Sequence, residues 1–84
     1  MNIPEMPFSA HVDVILPNGL QHSFHSVYDA LDFLENEWPL KHGTYHERAI
    51  SRCRGALQEL VSVDTAREAF VDACLEAGMP PTGF

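Results

Sequence analysis

The chain reads as an α+β domain in the order β-β-α-α-α, an N-terminal antiparallel β-hairpin packed on three helices. Three observations predict it. Apolar residues alternate from Phe8 to Leu16, and again from Leu20 to Phe24, around a Pro17-Asn18-Gly19 turn. Beyond Ser26 the apolar residues recur at helical spacing. That helical remainder is cut by Trp38-Pro39 and by caps at Ser62 or Asp64 into three segments, about 27–38, 45–60 and 63–77.

The strands are expected at about 8–16 and 20–25. Phe8, Ala10, Val12, Val14 and Leu16 share one face, with Ser9, His11 and Asp13 on the other. A two-residue loop at Asn18-Gly19 would set Val12 and Val14 beside His25 and Ser23. A three-residue loop pairs Leu16 with Leu20, Val14 with His22 and Val12 with Phe24. The second keeps the apolar set together and is preferred, with Gly19 as the left-handed residue. His22 then falls on the apolar face as a half-buried residue at the core's edge. Both strands are left as open edges, which invite pairing with another chain.

Ser26 is a natural N-cap for the first helix, and Asp29 places a negative charge in its first turn. Val27, Ala30, Leu31, Leu34 and Trp38 form its stripe. Proline disfavours the α conformation at the residue before it, so this helix should end at Trp38. Thr44 and Glu47 have the spacing of a capping box for the second helix. Its inner face is read as Tyr45, Ala49, Ile50, Cys53, Ala56, Leu57 and Leu60, with Gly55 tolerated where a neighbour comes close. Val63, Ala66, Phe70, Ala73, Cys74 and Ala77 line the third. Gly78 is its C-terminal cap, and Pro80-Pro81 forbid continuation. Residues 1–7 are an extended lead-in, 8–79 a single domain and 80–84 a short tail.

With 84 residues there is room for one domain, and one this small buries only about 60–65% of its unfolded surface. Apolar residues at 45% and charged residues at 20% fit a globular chain rather than a disordered one. No apolar run is long enough to span a membrane, and the N-terminus lacks a signal peptide's pattern, so a cytoplasmic protein is expected. Cys53 and Cys74 read as buried thiols. The net charge of −7 opposes nucleic acid and anionic lipid. Yet Lys41, Arg48, Arg52 and Arg54 are four of the five basic residues, and acidic segments flank them.

Trp38-Pro39, Gly43, Ala49, Cys53, Ala56-Leu57, Ala66-Arg67, Ala69-Phe70 and Ala77-Gly78 together resemble the bacterial domain-of-unknown-function family 982. The resemblance spans nearly the whole domain. It implies a small bacterial α+β protein and brings no activity with it.

Several groups could carry function. Trp38 at the helix junction reads as a structural plug, with an exposed interface anchor as the alternative. Arg48 and Arg52 share a helix face. With Lys41, His42 and His46 near the helix start they form a basic patch for an acidic partner or an anion, or else pair within the chain. Glu68, Asp72 and Glu76 make an acidic ridge, a solvated face or a surface for a cationic partner. In the preferred register His11 faces His25 with Asp13 diagonal, a donor set that zinc would accept. No catalytic fingerprint is present, so no enzyme is expected, and no cofactor is implied. Trp38, Pro39, Gly43, Thr44, Glu47, Phe70 and Gly78 are assigned to structure. The sum is a small non-enzymatic protein-interaction or regulatory module that self-associates as a homodimer. A ligand- or metal-binding domain, using the His11/His25 face or the Gly43-Thr44 helix start, is the rival. Weak nucleic-acid binding through Arg48 and Arg52 stands third.

Overall fold

The computed structural model describes residues 7–39 and 43–82, the side chain of Ser9 excepted. Strand β1 (Pro7–Ile15) pairs antiparallel with β2 (Gln21–Ser26). The register is the one the apolar pattern selects: Val12 opposite Phe24 and Val14 opposite His22. The Leu16 amide donates to the Leu20 carbonyl at 2.8 Å, closing the three-residue loop. Gly19, at φ +86°, supplies the left-handed turn residue.

Between Pro7 and Val12 the alternation fails. Pro7 pairs with Ser26, so β1 spends five residues where β2 spends two, which is a bulge. Ala10 is consequently exposed and does not join Phe8, Val12 and Val14 in the core. Arg67 meets this irregular stretch. Its Nε donates to the Ala10 carbonyl at 2.9 Å and its Nη2 reaches the His11 carbonyl at 3.5 Å. The guanidinium thus serves carbonyls that a bulged ladder leaves over.

Helix α1 (Val27–Asp32) starts on Ser26, whose hydroxyl accepts from the Asp29 amide at 3.2 Å. It continues as a π-helical turn, Phe33–Glu37, where an α-helix was expected to run on to Trp38. Trp38 is extended at ψ 122°, so the chain leaves the helix where Pro39 requires. Helix α2 (Thr44–Leu57) is capped by Gly43 rather than by Thr44, and the capping box does not form. The Glu47 amide bonds to the Gly43 carbonyl at 2.9 Å, so helical bonding begins one residue earlier than the Thr44/Glu47 spacing suggests. The inner face of α2 is His46, Ala49, Cys53 and Ala56. Tyr45 and Leu60, read as inward, are exposed. The helix ends at Leu57, before Leu60, and its phase turns His46 inward instead of Tyr45.

Helix α3 (Val63–Glu76) is capped by Ser62, whose hydroxyl accepts from the Thr65 amide at 3.0 Å. Its end is a Schellman motif. The Gly78 amide bonds to the Leu75 carbonyl and the Met79 amide to that of Cys74, with Gly78 at φ +75°. Met79 is driven into the core at 0% exposure. The following residues are not a loose tail. Pro81–Thr82 form β3, antiparallel to β1, giving the sheet order β2-β1-β3. The Ile15 amide donates to the Pro80 carbonyl at 3.1 Å. So β1 takes the central place in the sheet, covered by β3 along Asp13–Ile15, which corrects the hairpin with two open strands over that stretch. The reason lies in the Gly78 reversal, which turns the chain back along β1.

Helices α1 and α3 contact the strands, and α2 packs on α1 and α3. Rings carry the core across these layers. Phe70 meets Phe24 at 4.7 Å between centroids, Phe24 meets Phe33 at 5.1 Å, and Phe33 meets Trp38 at 5.6 Å. Edge-on contacts of this kind suit the aromatic quadrupole.

Candidate functional site

The joint between α1 and α2 is built from Trp38. Its half-buried ring lies between Phe33 and His46, the latter at 5.0 Å. His46 is 2% exposed, and its Nε2 donates to the Leu34 carbonyl at 2.7 Å. That carbonyl lies in the π turn, so His46 holds the end of one helix to the start of the next. It is therefore no member of a surface basic patch. Its place in the i, i+3, i+7, i+10 series with Ala49, Cys53 and Ala56 is the signal that reveals its burial. Lys41 and His42, the loop members of that patch, lie outside the described residues.

Helices α2 and α3 are joined by a tight turn and run antiparallel, since Gly43 at the start of α2 meets Glu76 at the end of α3. A Cβ on Gly43 would sit 3.5 Å from the Glu76 carboxylate. A carboxylate beside a helix N-terminus is favourable. It also occupies the ground where an anionic ligand would approach the Gly43-Thr44 helix start, and would repel it.

Tyr45, Asp72, Leu75 and Glu76 line a shallow depression beside this junction. Tyr45 is 39% exposed and Leu75 is 53% exposed. Leu75 lies off the inner stripe of α3, and that is the sequence signal for an outward apolar residue. Arg48 lies over the Tyr45 ring, 5.3 Å from its centroid. Arg52 follows one turn on. Glu68 and Asp72 precede Glu76 at the same four-residue step on α3. All of these charged side chains are exposed. Among the described residues the ion pair within 4 Å is Arg54 with Glu35, joining α2 to the π turn. Among the described residues, Arg48, Arg52, Glu68 and Asp72 form no such pair.

On the sheet, His11 and His25 come together as expected. Their rings lie 4.0 Å apart, with Nε2 of His11 3.1 Å from Nδ1 of His25. The bulge does not separate them. Asp13 does not complete a metal cluster with them: no group of three ligating side chains forms among the described residues. His22 stacks on Phe24 at 4.3 Å but remains exposed rather than half-buried.

Cys53 and Cys74 are buried free thiols. Burial raises both from 9.0 to about 12, and the Glu35 charge adds to the effect at Cys53. At neutral pH they are held as thiols, which are poor nucleophiles.

These features define a small α+β domain whose outer helical hairpin turns a basic row and an acidic row to solvent. The chain belongs to the family described as Protein of unknown function (DUF982), whose model matches residues 12–80. It is similar to the Agrobacterium tumefaciens protein Atu1219, whose NMR structure aligns at a TM-score of 0.81 and 32% sequence identity, covering 100% of this chain and 89% of that chain. No curated protein matches it. Among the described residues no helix is long and apolar enough to cross a membrane.

Proposed function

We propose that this protein is a cytoplasmic, non-enzymatic interaction or regulatory module that self-associates. The observation that supports this is the segregation of exposed basic and acidic side chains on the α2/α3 hairpin around the exposed Tyr45 and Leu75. Three further polar side chains have structural tasks. Arg54 binds Glu35, Arg67 binds the bulge carbonyls and His46 binds the Leu34 carbonyl. The two thiols are kept protonated by burial. The acidic row beside Arg48 and Arg52 weakens any attraction of that helix for nucleic acid.

Sedimentation velocity over a concentration series tests the reading. Reversible dimerisation that weakens as salt rises is expected. A monomer at every concentration, together with no specific capture from lysate that an Arg48→Glu/Arg52→Glu variant loses, would end it. The His11/His25 pair supports a second reading, since its nitrogen separation suits chelation of one ion by both rings. Zinc titration followed by NMR would then shift the His11 and His25 signals locally and saturably.

A further inference from the structure

We infer that the α2/α3 face docks on the same face of a second copy of this chain, about a two-fold axis parallel to the two helices. The inference rests on the self-association reading and assigns it a surface and a geometry.

The pairing follows from levels along the helices. Tyr45 stands beside Leu75 and Glu76, and the helices run antiparallel. Both rise at the same 1.5 Å per residue. Arg48 is therefore level with Asp72, and Arg52 with Glu68. One ridge of the hairpin is basic and the other is acidic at matching heights.

A two-fold interface is isologous, so each residue of the patch meets a residue of the same patch. Two orientations of the axis are open to a pair of helices. An axis across the helices lays α2 on α2 and sets arginine against arginine. An axis along the helices lays α2 of each copy on α3 of the other. Arg48 then meets Asp72, Arg52 meets Glu68, and Tyr45 meets Leu75, twice each. Like charges across an interface are costly, so the charge pattern selects the second orientation. α2 is well placed for this, because its inner side packs on α1 and α3 and, among the described residues, its outer side carries exposed side chains.

The test uses two charge-reversed variants, Arg48→Glu/Arg52→Glu and Glu68→Lys/Asp72→Lys, with folding checked by circular dichroism. The first has two acidic rows and the second two basic rows. Each alone should self-associate at least about tenfold more weakly than wild type. Mixed in equal amounts they should recover a heterodimer near wild-type affinity, since every acidic row then meets a basic one. Variants that still dimerise alone would overturn the assigned face while leaving self-association intact. Loss of dimer without recovery on mixing would overturn the pairing of basic row on acidic row. A monomeric wild type would remove both the face and the reading beneath it. Should a reversed variant fail to fold, Arg48→Gln/Arg52→Gln serves. It should weaken the dimer and abolish its salt dependence, and an unchanged salt dependence would count against the proposal.

Discussion

Glu59 is held at φ 60°, in the left-handed region where a side chain is unfavourable. It occupies the position that Gly78 fills at the end of α3. The Glu59 amide bonds to the Ala56 carbonyl and the Leu60 amide to that of Gly55, so α2 also ends in a Schellman motif, without its glycine. Glu59→Gly should therefore stabilise the fold by about 1 kcal/mol, read as a higher urea midpoint. The cysteines give a second residue-level expectation. Their folded pKa lies above the unfolded 9.0, so the stability they contribute is whole below pH 9 and is lost as pH climbs toward 12. Urea midpoints should fall over that range, and a Cys53→Ala/Cys74→Ala variant should fall less steeply. A slope unchanged by the substitutions would refute it. In the native protein neither thiol should react with a bulky disulfide reagent until unfolding, as mass spectrometry would show.

Elements differ in how plainly the chain announces them. The hairpin register was legible because one face is apolar, and a one-residue slip would turn Val12 and Val14 to water. The C-terminal end of α3 was legible in Gly78, and its start was narrowed to Ser62 or Asp64, of which Ser62 makes the cap. The ends of α2 were not legible. Gly43 can cap through its backbone, so the hydroxyl of Thr44 was not needed, and Glu59 hides a C-terminal cap behind a side chain. The bulge and β3 were invisible for another reason. Each depends on a distant partner, Arg67 in one case and β1 in the other. The strand β3 is held by Met79, so Met79→Ala should cost about 2–5 kcal/mol and speed hydrogen exchange at the Ile15 amide, which bonds to Pro80. Loss of stability with Ile15 still protected would mean that β3 is anchored elsewhere.

At the level of the assembled domain, the candidate site was half legible. The charge rows of α2 and α3 stand in the sequence as four-residue spacings, and Arg48, Arg52, Glu68 and Asp72 are exposed as those spacings suggest. Tyr45 and Leu75 were missed because the side of a helix that faces solvent is fixed by packing against its neighbours. A domain of this size has little apolar area to spend on its own stability. If it gains area by dimerising, its melting temperature should rise with protein concentration, because association stabilises the folded form by mass action. Thermal melts over a hundredfold concentration range would show this. A constant melting temperature would argue for a self-sufficient monomer.

The short strand β3 has a consequence for how the protein is made. The central strand of the sheet leaves the ribosome well before the strand that closes its other side. Thr82, which bonds to the Asp13 carbonyl, lies 69 residues further on. Until that segment is synthesised, β1 shows one unsatisfied edge and an alternating apolar face to whatever is nearby. The bulge, with its turned-out Ala10, breaks the regularity of β1 while the nascent chain waits for its closing strand.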